Sequence, residues 1–253
     1  MHASSLLKAE LFLKHYAGKL PAGVARPRVL EVGAKSYNDH DTYRSLFPSE
    51  RYAYTGLDVE PGGNVDLVPA DGYVWTEIGN EAFELCISGQ TFEHNPFFWV
   101  TFSEIARVLV PGGYACIIAP GAGQVHRFPY DCWRFYPDSW ASLCALTGMT
   151  LVESYFESDD TAFVVPGGKW RDSALIMQRP VLSAAGTQSF YARLAEIVTP
   201  FRGRPFTMPS PAGGKGSCFT DYEARVRAQY GTGAFKAIGE RLQGRRKTRL
   251  LKQ

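Results

Sequence analysis

The chain of 253 residues has no C-x-x-C pair, and its five cysteines (Cys86, Cys116, Cys132, Cys144 and Cys218) are scattered and odd in number. That pattern excludes a disulfide framework and a zinc ribbon as organising devices. Reduced thiols in a cytoplasmic protein are the expectation. Charge of one sign is also lacking: the formal balance is +2, and charged residues are 21% of the chain. Nothing in that balance calls for a nucleic-acid or membrane partner. No apolar run approaches membrane-spanning length, and Lys8, Glu10 and Lys14 interrupt the N-terminal apolar positions where a signal peptide needs continuity. No internal repeat is present. No set of His, Asp, Glu or Cys has metal-ligand spacing, and the adjacent Asp159 and Asp160 read as a solvated turn, so metal-independent chemistry is expected.

What is present is enough apolar material for a full core, with 45% hydrophobic and 13% aromatic residues. Residues 4–19 place Leu6, Leu7, Leu11 and Leu13 at helical spacing, predicting an amphipathic helix that Gly18 stops. The pattern then alternates. "RVLEVG" reads as a strand, a polar segment through Tyr43 and Leu46 as a helix, and "YAYTGLDV", "VDLV" and "FELCISG" as strands. "PFFWVTFSEIARVLV" follows as a helix, a Pro-Gly-Gly turn at 111–113 leads into the strand "YACIIAP", and "PDSWASLCALTGM" is a helix with Asp138 or Ser139 capping it and Gly148 ending it. "TLVESYF" and "SALIMQRP" are late strands, and "QSFYARLAEIVTPF" is a last helix before a turn-rich stretch and a basic tail from 241. Apolar strands with helical crossovers predict an α/β fold, a mostly parallel, doubly wound, Rossmann-like sheet with helices on both faces. The expected organisation is an N-terminal helix over 1–25, an α/β domain over 26–182 and a C-terminal extension over 183–253.

Such sheets bind ligands beyond the carboxyl ends of their strands, at the switch in strand order. "VLEVG" delivers Glu31 and Gly33 to that edge, and Gly33 lets backbone approach a ligand. "YTGLD" ends in Asp58, about one strand–helix–strand unit later, where a carboxylate can accept from both hydroxyls of a ribose. Either acid alone is as readily a helix cap, but together they imply an adenosine-containing cofactor. A dinucleotide needs G-x-G-x-x-G, whereas Lys35 and Tyr37 stand near the later glycine positions, so a cofactor without a pyrophosphate fits better.

These residues, with "FELCISGQTFEH" and "EIARVLVPGGYACIIAP", resemble the class I S-adenosylmethionine-dependent methyltransferases, from about Val29 to Pro180. The resemblance implies that Glu31 and Gly33 lie beside the methionine end of the cofactor, with Lys35 of the same loop also a cofactor-binding candidate. It implies further that Asp58 holds the ribose, that Asp71 meets the adenine amino group, and that Ser88 and Gln90 close the site. The departure is in the first loop, where the family usually carries E/D-x-G-x-G-x-G.

After the fifth family strand comes "GAGQVHRFPYDCWRFYPDSW", which resembles the "YPYDYWRF" stretch of methyltransferases associated with bacterial surface-glycan synthesis. Aromatic faces interleaved with hydrogen-bonding groups suit a sugar, which makes Arg127, Tyr130, Trp133, Arg134 and Trp170 candidate acceptor contacts; packing of the loop is the alternative. Methyl transfer to a hydroxyl needs a base, for which His126 and His94 are candidates, with Asp131 orienting or replacing them. The expected partner is a small-molecule or glycan substrate, a homo-oligomer is compatible, and nucleic acid is not favoured. An RNA methyltransferase using the basic tail and a non-catalytic binding protein are the rivals.

Overall fold

The computed structural model describes residues 3–21, 23–37, 42–127, 129–157 and 170–206, with 228, 229 and 231 beyond them. The basic tail, Cys218 and the Asp159-Asp160 pair lie outside the described residues. The chain forms two compact units, Met1–Met208 and Pro209–Gln253, and the strands and helices named here belong to the first. Among the described residues no helix is long and apolar enough to cross a membrane.

Six strands form one sheet in the order β2-β1-β3-β4-β6-β5. They are β1 (Arg28–Val32), β2 (Ala53–Leu57), β3 (Phe83–Gly89), β4 (Leu109–Pro120), β5 (Thr150–Phe156) and β6 (Asp172–Gln178). β1 to β4 run parallel, and β6 is antiparallel to β4 and β5 on either side of it. The Rossmann-like expectation holds, and the direction of the chain changes sides at β1, which pairs with β2 on one flank and β3 on the other.

Alternation along the strands fills both faces. Leu30, Val32, Cys86 and Ile117 pack with Phe102 and Ile105 of α2 (Phe98–Val108), Trp140 of α3 (Pro137–Thr147) and Phe190 and Leu194 of α4 (Ala184–Val198). Val29, Leu85, Ile87, Cys116 and Ile118 pack on the other face with Phe12 and Tyr16 of α1 (Ala3–Tyr16) and with Tyr43. α4 buries Phe190 and Leu194 in the main core, and the compact unit runs to Met208.

Local differences have local causes. The polar segment is a single 3-10 turn, Tyr43–Leu46, with Tyr43 buried. "VDLV" makes one bridge, Leu57 to Leu67, instead of a strand. Asn64 at φ 70° turns the chain there, and the amides of Asp66 and Leu67 both donate to the Gly56 carbonyl, at 2.8 and 3.0 Å. The Pro-Gly-Gly segment is taken into the start of β4, bent at Gly112, whose φ is 81°. In α3, Tyr136 is the N-cap ahead of Pro137, and Ser139 Oγ accepts the Tyr136 amide at 2.9 Å, while Gly148 ends the helix left-handed at φ 81°.

Candidate active site

Three strand ends meet at the switch point in register, Val32 beside Leu57 on one flank and beside Ser88 on the other. The next residues of those strands are Gly33, Asp58 and Gly89, at the edge where such sheets bind ligands. The amides of Gly33 and Ala34 both donate to the Leu57 carbonyl, at 2.9 and 3.0 Å, which turns the chain sharply out of β1. Gly33 sits at φ 78°, and a Cβ there would lie 2.0 Å from Thr91 Oγ1. Only glycine satisfies both the angle and the approach of the loop that follows β3.

Asp58 organises the first loop: its Oδ2 accepts the Lys35 amide at 2.9 Å and its Oδ1 the Glu60 amide at 3.2 Å. Burial pushes its carboxyl up from the ordinary value, against those bonds. Lys35 turns its ammonium to Glu60 at 2.7 Å and lays its stem over Gly62. Glu31, 5% exposed, accepts Asn64 Nδ2 at 3.2 Å. Burial is the main cause that pushes its carboxyl up to about 8, opposed by the Asn64 bond and the Arg44 charge. Arg44 Nε in turn donates to Asn64 Oδ1 at 2.6 Å. Asn64 and Arg44 had no signal in the sequence that set them apart. The only trace is Gly56, where a Cβ would meet the Asn64 carbonyl at 2.1 Å.

Ser88 is buried and donates to the Val32 carbonyl at 2.8 Å, tying β3 to β1. Gln90, at φ 56°, donates from Nε2 to Asp172 Oδ1 at 3.0 Å. Asp71 accepts the amides of Tyr73 and Val74 on Oδ1 and that of Gly203 on Oδ2, at 2.9, 3.1 and 2.6 Å, so its carboxylate binds its own loop and the segment after α4.

The loops after β3 and β4 are laced together. The Glu93 carbonyl accepts the amides of Cys132 and Trp133, at 2.7 and 3.3 Å, and the Asn95 carbonyl accepts Trp133 Nε1 at 3.1 Å. His94 Nδ1 lies 2.5 Å from the Tyr130 carbonyl, which can only accept; Nδ1 therefore carries the hydrogen and Nε2 the lone pair. Burial lowers the His94 pKa, keeping the ring neutral. His126 packs edge-on to His94, with ring centroids 4.8 Å apart, and against Trp170 at 4.3 Å. Asp131 accepts the His126 amide at 2.6 Å and grips Arg134 through both oxygens, at 2.5 and 2.8 Å. Burial raises the Asp131 carboxyl, but the bonds from Arg134 and His126 outweigh it and leave the group below the ordinary range. Asp131 is therefore placed to orient its neighbours while ionised.

His94, His126, Asp131, Tyr130, Arg134, Trp133 and Trp170 are thus brought to one loop cluster, while Arg127 is exposed. Glu93 belongs with them. It is 0% exposed, and burial pushes its carboxyl up to about 8.

Residues 44–117 match the family described as a methyltransferase domain. No curated protein matches the chain significantly. Among solved structures, the Burkholderia thailandensis 1,6-didemethyltoxoflavin-N1-methyltransferase, solved with bound 1,6-didemethyltoxoflavin and S-adenosylhomocysteine, superposes with a TM-score of 0.53. It is 16% identical over 71% of this chain and 79% of that one. The [4+2]-cyclase SpnF superposes with a TM-score of 0.51 at 14% identity, over 70% of this chain and 82% of that one. At such identities the likeness is one of fold, and the two activities named show how different the chemistry on that fold can be. The sheet order and the neighbours together show the Rossmann-like fold, and residues 44–117 of the chain match a methyltransferase-domain model on it.

Proposed function

We propose that the chain transfers a methyl group from S-adenosylmethionine to an oxygen of a sugar or glycan precursor. The observation that carries the cofactor part is the register of β2, β1 and β3, which aligns Leu57, Val32 and Ser88 and so brings Asp58, Gly33 and Gly89, the residues that follow them, to the switch point. The residues fit such a nucleoside. Each oxygen of Asp58 accepts one amide, and a carboxylate has about four lone-pair sites, so capacity remains for ribose hydroxyls. Gly33 turns the loop at the strand end, and Glu31 offers a buried carboxyl to an ammonium group. When bound, the cofactor supplies a methyl group made electrophilic by its sulfonium.

The chain's own tasks are alignment, exclusion of water and handling of one proton. His94, neutral with Nε2 unprotonated, suits proton acceptance from a hydroxyl. Asp131 holds the His126 amide and Arg134, which fixes the acceptor loop. Trp133, 39% exposed, offers an aromatic face to a sugar ring.

Incubation with S-adenosylmethionine labelled in its methyl group and a panel of nucleotide sugars tests the acceptor: label on a sugar oxygen supports the proposal. Label entering only RNA, lost on deleting residues 241–253, would move the acceptor to nucleic acid. The second reading, a binding protein on this fold, is favoured by Lys35 and Tyr37 standing where the family has glycines. Absence of any S-adenosylmethionine binding would decide for it.

A further inference from the structure

Glu93 is the buried group that methyl transfer leaves unexplained. It is 0% exposed, and neither carboxylate oxygen has a hydrogen-bond partner among the described residues. Buried carboxylates without partners are rare because the desolvation cost is not returned. Its surroundings are specific: His94 Nε2 lies 3.5 Å from Glu93 Oε1, and one donor atom each from Glu93, His94 and His126 lies within 4.8 Å of the others.

We propose that Glu93, His94 and His126 form a divalent transition-metal site suited to Zn²⁺, on the acceptor side of the cleft. Two imidazoles and one carboxylate are a donor set that zinc accepts, at roughly 2.0–2.2 Å per bond, with a further position open. Donor atoms on one tetrahedral ion of those bond lengths sit about 3.3 Å apart, so modest ring rotation closes the present set. The supporting shell is complete at His94 and only approached at His126. Metal-binding histidines usually donate their second ring nitrogen to a carbonyl or carboxylate. His94 Nδ1 faces the Tyr130 carbonyl at 2.5 Å, and His126 Nδ1 lies 3.3 Å from Asp131 Oδ2. Asp131 is itself clamped by Arg134. The sequence hid this set because Glu93 and His94 are adjacent while His126 arrives from a different loop, so no ligand spacing is visible and a metal-free site was expected.

An ion here would bind an acceptor hydroxyl in its open position and lower its pKa, which would replace the histidines as the means of activating it. That role rests on the proposed methyl transfer; the binding of metal does not.

The test uses the full chain, stripped with a chelator and freed of any affinity tag. Titration with Co²⁺, followed by visible absorption, and with Zn²⁺, followed by calorimetry, is expected to give one equivalent bound without S-adenosylmethionine. Glu93→Gln, close to isosteric, and His126→Ala should each abolish the cobalt band. Asp131→Asn should weaken zinc binding by roughly 10–100-fold, as supporting-shell changes do. Circular dichroism identifies variants that fail to fold, and Glu93→Gln serves if the histidine variant does. No stoichiometric binding to the wild type, or one equivalent retained by folded Glu93→Gln, overturns the proposal. Either result leaves S-adenosylmethionine binding to be judged separately.

Discussion

The carboxylate of Asp58 accepts the amide of Lys35 at 2.9 Å, so the acid expected to hold a ribose also fixes the loop that departs from the glycine pattern. Lys35 brings a side chain that pairs with Glu60 and covers Gly62, where a glycine would have left backbone exposed. The cleft is therefore shaped by one hydrogen-bonded loop, and each substitution in it has a distinct expected effect.

Gly33→Ala should be severely destabilising for two separable reasons. A residue with a Cβ at φ 78° costs about 1–2 kcal/mol, and the new methyl would meet Thr91 Oγ1 at 2.0 Å. Adding Thr91→Gly should remove the clash and leave the backbone cost. Urea unfolding of the single and double variants checks this, and a fully stable Gly33→Ala would contradict the geometry.

Glu31 links stability to pH. Its carboxyl is held up at about 8 in the folded chain by burial, against an ordinary value of 4.5. The folded state then binds more protons than the unfolded state between those values, so stability contributed by this group falls as pH rises through that window and is fully lost above it. Glu31→Gln should be more stable than wild type at pH 9, by several kcal/mol at about 1.4 kcal/mol per pH unit across that window, and similar to it at pH 4.5. Denaturant midpoints at the two pH values give the comparison, and an equal difference at both would argue against a raised carboxyl.

The same residue should report ligand binding. At pH 7 the free protein holds a proton on Glu31, and an ammonium group placed beside it would favour the ionised form. Binding of S-adenosylmethionine should then release a proton, seen as a dependence of the calorimetric heat on the ionisation enthalpy of the buffer. The dependence should vanish in Glu31→Gln, and its persistence there would assign the proton to another group.

α1 is tied to the site through buried charge. Lys8 pairs with Glu157 at 2.5 Å and with Asp172 at 3.3 Å, and Asp172 holds Gln90 at the end of β3. Lys8→Met should cost about 3–5 kcal/mol, because it strands two buried carboxylates instead of removing a whole network. A loss below about 1 kcal/mol in chemical unfolding would show the pair to be well solvated.

The fold was legible where pattern and local chemistry agreed. The apolar strands, the Gly148 helix stop and the carboxylates at the ends of β1 and β2 could all be read from neighbouring residues. "VDLV" misled because its apolar alternation says nothing of Asn64, whose left-handed backbone and contacts with Glu31 and the Ala34 carbonyl turn the segment under the loop. Asp71 stood in a suitable place in the chain, but only the folded segment after α4 brings the Gly203 amide to it. The juxtaposition of Glu93, His94 and His126 depends on two loops hydrogen-bonded to each other, a long-range relation with no periodicity to reveal it.

Calorimetric titration of wild type and Asp58→Ala with S-adenosylmethionine addresses the central claim most directly. Saturable one-to-one binding by the wild type, abolished in an Asp58→Ala protein whose circular dichroism is unchanged, is the predicted result. Equal affinity in the two proteins, or no binding by either, would contradict it.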